Sequence, residues 1–174
     1  GLRNSTADWK VVCTSVVFNQ NFRPLLNLLM PVQLADRSII ELAASLAYMW
    51  AGYPEDSDAL LDLISQEDIK NVVILSGDTH SSMMDDGSNA GLPELSASGW
   101  AAGNEAYLNQ SIDSVINQFG LNLPTVGDFL WNGGGNGINN NSRNDTYGTM
   151  EFFGTDSLRM CVIDEFDQIQ NQVQ

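Results

Sequence analysis

Residues 71–87, "NVVILSGDTHSSMMDDG", run an apolar segment directly into a glycine, an aspartate and the one histidine of the chain. A short apolar run such as Asn71–Ser76 is typical of a strand in a sheet that is covered on both faces. Open α/β sheets bind ligands beyond the carboxyl ends of their strands, where backbone groups are not used in pairing. Asp78 and His80 follow such an end. This stretch therefore predicts both the fold class and the location of the site.

The segment before this strand predicts a helix that leads into it. Pro54–Gln66, "PEDSDALLDLISQ", has a proline at its start and acidic residues in its first turn, and its leucines and isoleucine recur on one stripe. These features favour an amphipathic helix with its amino terminus at the proline. A helix followed by a strand is half of a βαβ unit.

Two segments nearer the amino terminus extend the pattern. Trp9–Phe18, "WKVVCTSVVF", is almost continuously apolar and β-branched, which predicts a strand buried on both faces. In Ser38–Tyr48, Ser38 and Glu41 have the spacing of a capping box, so we expect a helix to begin there.

The carboxyl-terminal part predicts a hairpin. Tyr147–Phe153 and Leu158–Asp164 are strand-like and are joined through "GTD", which is typical of a β-hairpin. The polar tail, residues 168–174, is expected to fray. Leu92–Ser98 predicts a further strand and Asn104–Phe119 a helix. The order of elements predicts an α/β sandwich with a mixed sheet.

Residues 120–145 are rich in Gly and Asn and cannot form a packed core of their own. We expect a long surface loop there. A plain insertion, a mobile lid and a calcium-binding loop are the three alternatives.

The composition argues against two classes of function. Seven Lys and Arg face 22 Asp and Glu, a formal net charge of −15, which repels a phosphate backbone and opposes nucleic-acid binding. No apolar run reaches the roughly 18 residues of a membrane span. An acidic surface with few lysines is instead typical of a secreted, high-salt or calcium-rich setting. The 174 residues are enough for one domain, or for a part of one.

The two cysteines leave the redox compartment open. Cys13 and Cys161 each lie in a strand-like segment, so they either pair in an oxidising compartment or remain reduced in the core. The chain begins at Gly1 rather than at a methionine, as expected of a processed or truncated product.

The candidate chemistry lies at Gly77-Asp78-Thr79-His80. A carboxylate and an imidazole from residues i and i+2 reach one small volume if the loop curls around it, which suits a metal ion. The alternatives are a capping aspartate and a structural, hydrogen-bonded histidine. A serine nucleophile would need a second base, and none is apparent. Asp85 and Asp86 do not match an EF-hand loop, so we expect a solvated acidic turn there.

Five separated segments together resemble one family, the PhoD-like alkaline phosphatases and phosphodiesterases of the calcineurin-like metallophosphoesterase superfamily. Their order and spacing are similar to the carboxyl-terminal half of that family. The segments are "STADWKVVCTSVVFN" (5–19), "WAGYPEDSDALLDLI" (50–64), "NVVILSGDTHSS" (71–82), "LPELSASG" (92–99) and "TYGTMEFFGTDSLRMCVIDEFDQ" (146–168).

The resemblance implies a fold, an activity and a site. The fold would be a four-layer α/β/β/α sandwich with mixed sheets, of which residues 1–174 form the carboxyl-terminal part of a single domain. Asp78 and His80 would be catalytic metal ligands in a Gly-Asp-x-His motif, with two or more metal ions, calcium and iron foremost. Metal-activated water would hydrolyse a phosphate mono- or diester. Trp50 and Tyr53 would either line the rim of the cleft or pack the helix onto the sheet. The resemblance also implies a secreted, periplasmic or cell-surface location.

Two departures from the family pattern favour an alternative function. The family commonly has Asp after the Trp and Arg three residues after the Pro, where this chain has Ala51 and Ser57. The amino-terminal half that supplies the other metal ligands is also absent from the sequence. We therefore expect the chain to be inactive without that half, present as a second chain or a lost segment. The alternative is a non-catalytic calcium- or partner-binding module derived from the same fold.

Overall fold

The computed structural model describes residues 1–20, 22–31, 37–78, 82–88, 90–97 and 146–174. The helices are α1 (Phe22–Leu29), α2 (Arg37–Tyr48) and α3 (Pro54–Gln66), with short 3-10 turns at Leu2–Asn4 and Trp50–Gly52. The strands are β1 (Lys10–Cys13), β2 (Val72–Ser76), β3 (Ser82–Asp86), β4 (Pro93–Ala97), β5 (Thr146–Phe153), β6 (Ser157–Asp164) and β7 (Ile169–Val173). In the described ranges, no helix has the length and apolar character that a membrane crossing requires.

The strands form two sheets. The first has the order β1-β2-β4-β3, with β1, β2 and β4 parallel and β3 antiparallel to β4. The second, β5-β6-β7, is antiparallel throughout. The predicted mixed α/β fold is thereby confirmed.

Strand β2 shows how the layers are arranged, because its successive side chains point to opposite faces. Val72 and Ile74 pack with apolar residues of α3. Val73 and Leu75 pack with β6 residues of the second sheet. The helices thus cover one face of the first sheet, and the second sheet covers the other. The outer helical layer of a four-layer sandwich would lie beyond these layers and stays a prediction.

The two sheets pack closely against each other at Gly148. A Cβ atom built on it would lie 2.7 Å from Ala97 Cβ and 2.8 Å from Leu95 Cδ2. Only a residue without a side chain fits between β5 and β4 at this spacing.

The prediction of one long strand buried on both faces over Trp9–Phe18 is wrong. The strand is only Lys10–Cys13, and it lies at an edge of the described sheet, with Val11 42% exposed. Val17 and Phe18 are buried, but in a non-strand segment that packs among the helices and Trp50. The apolar run therefore predicted the burial of Val17 and Phe18 correctly, but it predicted their strand structure incorrectly.

The prediction of a fraying tail is also wrong. Ile169–Val173 forms β7, which pairs with β6 through a bulge at Val162/Ile163. Strand pairing uses backbone groups, so polar side chains do not prevent it where one sheet edge is available.

The local predictions are largely confirmed. Helix α3 has its predicted bounds, and β5 and β6 form the predicted hairpin, with Gly154 at a φ of 59° in the turn. Helix α2 begins at Arg37, so Ser38 is its second residue, and Glu41 pairs with Arg37 at 2.8 Å. The helix therefore begins one residue before the predicted start at Ser38. The helix at 104–119 and the loop at 120–145 lie outside the described residues.

The two cysteines are both free thiols. Cys13 is exposed at the edge strand, whereas Cys161 is buried in β6. The structure therefore answers the pairing question that the sequence left open.

Candidate functional site

The candidate site lies at the edge where the parallel strands β1, β2 and β4 end, here called the carboxyl edge. Cys13 of β1 stands opposite Leu75 of β2, and the Thr14 amide donates to the Leu75 carbonyl at 2.9 Å. The chain therefore leaves β1 and β2 side by side. Ligand sites in open α/β sheets occur at such edges.

Asp78 lies at this edge, two residues after the last residue of β2. It is exposed and has a φ of 67°. The left-handed conformation is at Asp78, the residue that follows Gly77. Asp tolerates this region better than most residues, yet at a cost in energy. Strained residues of this kind cluster at functional sites.

The second predicted ligand, His80, lies outside the described residues, as does Thr79. The joint binding of a metal by Asp78 and His80 therefore stays a prediction. Across the ranges the structure describes, no group of three or more His, Cys, Asp or Glu side chains could hold a metal ion. Asp78 offers a hard oxygen donor that suits calcium or iron, but calcium takes six to eight oxygens. Such a site needs ligands beyond those described.

A buried acid that the sequence analysis did not single out lies directly behind this edge. Glu94, in β4, is 0% exposed. Its Oε1 atom accepts hydrogen bonds from the Phe18 amide at 2.9 Å and from the Ser76 hydroxyl at 2.5 Å. Glu94 thereby joins the segment after β1 to the last residue of β2. Burial raises the pKa of Glu94 to about 7.

Asp85 corrects the prediction of a solvated acidic turn. It is 0% exposed, and its carboxylate accepts from Asn19 Nδ2 and the Ala90 amide, both at 3.0 Å, and from the Gly87 amide at 2.9 Å. Asp86 alone is exposed, and hydrogen bonds from Ser88 lower the pKa of its carboxyl. The buried Asp85 carboxylate therefore stabilises the β3–β4 turn by accepting hydrogen bonds from its backbone amides.

A sequence signal for these two acids exists, although it is weak. Glu94 interrupts the apolar positions of "LPELSA", which is unusual for a residue of a buried strand. Asp85 follows two methionines and precedes Asp-Gly, a pattern that favours a turn over a strand. Only the packing of neighbouring elements shows that both side chains are inside.

The two predicted rim residues line one cavity at the carboxyl edge. The cavity has a volume of about 540 Å³ and also contacts Thr14 and Ser15, which follow β1. Trp50 is half-buried, and Tyr53 is 54% exposed. Both residues line the same cavity. Trp50 also packs against Phe18, with ring centroids 5.3 Å apart.

The two residues that depart from the family pattern are buried. Ala51 is 2% exposed and Ser57 is 0% exposed. The Ser57 hydroxyl accepts a hydrogen bond from Arg23 Nη2 at 2.9 Å, which joins α3 to α1. Neither residue is among those that line the 540 Å³ cavity.

Comparison with known proteins identifies a family. The family model described as PhoD-like phosphatase matches residues 1–118, about two thirds of the 174 residues. No curated protein matches the chain, and no solved structure does. The matched range includes the carboxyl edge, the 540 Å³ cavity and the Gly-Asp-x-His segment. The chain belongs to the PhoD-like phosphatase family.

Proposed function

We propose that this chain forms part of a metal-dependent phosphoesterase that cleaves phosphate mono- or diesters. The observation that carries the proposal is the exposed Asp78 carboxylate at the carboxyl edge, held in a left-handed conformation. Membership of a phosphatase family agrees with that chemistry. When bound, metals supply Lewis acidity toward a phosphoryl oxygen and lower the pKa of water.

The residues of this chain have three roles in the proposal. Asp78 and His80 bind the metal. Glu94 positions Ser76, the residue two before Asp78, through its hydrogen bond to the Ser76 hydroxyl. The metals offset the negative charge of a chain with a net charge of −15, which would otherwise repel an anionic ester.

We further propose that the remaining metal ligands come from an amino-terminal part of the same sandwich, as the resemblance to calcineurin-like metallophosphoesterases implies. The edge strand β1 supports this, because its outer side has no neighbour within the described sheet and Val11 is 42% exposed. An apolar edge strand of this kind is suited to pairing with a further strand. We also propose a secreted, periplasmic or cell-surface setting, as the same resemblance implies.

The test is hydrolysis of p-nitrophenyl phosphate and bis(p-nitrophenyl) phosphate by the natural protein, including any polypeptide that co-purifies with this chain. Chelation should abolish turnover, and calcium with iron should restore it. Asp78→Asn should lower kcat by at least about 100-fold, because a neutral amide is a poorer metal ligand. Asp62→Asn is the matched control, since Asp62 is an exposed carboxylate of α3. Full activity in Asp78→Asn would overturn the proposal.

The alternative is a non-catalytic module that binds calcium or a partner protein. The buried Ser57 favours it, because the position where the family commonly has Arg is here a small residue used for packing. A protein that binds metal and cleaves neither ester would support this alternative.

A further inference from the structure

The cavity at the carboxyl edge has a largely aromatic and acidic lining. It is lined by three aromatic residues, Tyr48, Trp50 and Tyr53, and Thr14 and Asp56 are among its other lining residues. The volume of about 540 Å³ is within the range of pockets that bind small organic molecules, roughly 300–1,000 Å³. We call it the aromatic cavity.

The Trp50 ring is held in place before any ligand binds. Its Nε1 donates to Thr14 Oγ1 at 2.9 Å, its backbone amide donates to the Val17 carbonyl at 3.2 Å, and its ring meets Phe18 edge-on. A fixed ring loses little conformational entropy on binding. Trp50 is therefore a preorganised surface for a ligand.

Two further rings remain largely in solvent. Tyr48 is 76% exposed and Tyr53 is 54% exposed. They stand at the end of α2 and directly before α3, on either side of Trp50 in the sequence. Burying exposed aromatic surface against a ligand is favourable.

The charge of the aromatic cavity is negative. Among the described residues that line it, none is Lys, Arg or His, and Asp56 is a carboxylate. The positive end of the α3 dipole lies close by, but Glu55 and Asp56 in its first turn offset a partial charge of about half a unit. The cavity therefore disfavours anions.

From this lining we propose that the aromatic cavity binds an organic ammonium group. Aromatic faces attract cations through their quadrupoles, and a nearby carboxylate adds to that attraction. If the proposed function holds, the phosphoryl group lies toward Asp78 and the ammonium group belongs to the alcohol part of the ester. The preferred substrates are then phosphate esters of amino alcohols.

The binding test compares two probes of nearly equal shape that differ in charge, choline and 3,3-dimethyl-1-butanol. Isothermal titration calorimetry of the natural protein, including any polypeptide that co-purifies with this chain, should give tighter binding of choline by roughly 2- to 30-fold, the range of cation–π energies. Inorganic phosphate, tested at the same concentrations, should not bind the cavity. Equal binding of the two probes, preference for the neutral one, or no binding of choline would overturn the inference.

Variants locate the bound cation. Tyr53→Leu and Asp56→Asn should each weaken choline binding at least about threefold. Phe166→Leu and Asp62→Asn are the matched controls, since Phe166 is 65% exposed in another part of the fold and Asp62 is exposed on the same helix as Asp56. Circular dichroism verifies that each variant is folded. Unchanged binding in both folded cavity variants would also overturn the inference.

This test is separate from that of the proposed function, because binding is measured without turnover. Choline binding without ester cleavage would retain the ammonium site and reject the phosphoesterase. Cleavage of aryl esters without choline binding would retain the phosphoesterase and reject the ammonium site.

Discussion

Glu94 and Asp85 lie directly opposite each other on the antiparallel strands β4 and β3, and both side chains are 0% exposed. Asp85 accepts three hydrogen bonds across its two oxygens. Glu94 accepts two on Oε1, while its Oε2 is buried and has no partner within the described part of the chain. Two facing carboxylates in a core disfavour double ionisation. Burial and, to a smaller extent, the charge of Asp85 raise the pKa of Glu94.

The first prediction follows from the raised pKa of Glu94. Burial, followed by smaller effects that include the charge of Asp85, moves this pKa from 4.5 to about 7. Because the folded state holds the proton more tightly than the unfolded state, the contribution of Glu94 to stability is present below pH 4.5 and is lost as the pH rises to about 7. The loss is at most about 3 kcal/mol.

The measurement is urea unfolding of the wild type and Glu94→Gln from pH 4 to pH 8. Glutamine resembles the neutral acid in shape and does not ionise. The difference in unfolding free energy should therefore shift toward the variant as the pH rises, and it should level off above the pKa. A difference that does not depend on pH would show that Glu94 does not titrate in this window.

The second prediction concerns the contact between the sheets at Gly148. Gly148→Ala should destabilise the fold by about 1–3 kcal/mol, because the new methyl group overlaps Ala97 and Leu95. Thermal unfolding measures the loss. Gly1→Ala is the matched control, since no atom lies within 4 Å of a Cβ built at Gly1. Equal melting temperatures for the two variants would contradict the packing described here.

The third prediction separates stability from activity at Asp78. Because Asp78 has a φ of 67°, Asp78→Gly should remove backbone strain and raise the unfolding free energy by up to about 1 kcal/mol. The same change removes the proposed metal ligand, so phosphoesterase turnover should fall to background. Unfolding curves and ester hydrolysis are measured on the same preparation. A variant that is more stable and still active would remove Asp78 from the metal site.

The fourth prediction concerns thiol accessibility. Ellman's reagent should label Cys13 rapidly in the folded chain and Cys161 only after denaturation, because Cys13 is exposed and Cys161 is buried. Mass spectrometry of the labelled peptides identifies the sites. Rapid labelling of both thiols under native conditions would indicate that β6 is not packed as described.

The sequence predicted best the elements whose signals are local. The proline and the first-turn acids set the start of α3, and the "GTD" turn set the β5–β6 hairpin. The errors at β1 and β7 have one cause, which is that strand length and pairing depend on distant neighbours. Val17 and Phe18 look like strand residues but pack among helices. Ile169–Val173 looks like a tail but pairs with β6.

The position of Asp78 in the fold was predictable from the sequence, whereas the other residues near the carboxyl edge were only partly so. A buried strand followed by Gly-Asp places Asp78 at the carboxyl edge, which the structure shows. Thr14 and Ser15 were hidden inside a predicted strand, so their contact with the cavity could not be foreseen. Glu94 was equally hidden, because its role depends on Phe18 and Ser76, which are distant in sequence.

A single oxygen atom, Glu94 Oε1, receives both the Phe18 amide and the Ser76 hydroxyl. The segment after β1 that contains Phe18 and the strand end that leads to Asp78 are thus hydrogen-bonded to the same atom. Displacement of either one strains the other. Anyone who redesigns the specificity of this enzyme family by grafting one loop should transplant both, together with the acid that anchors them.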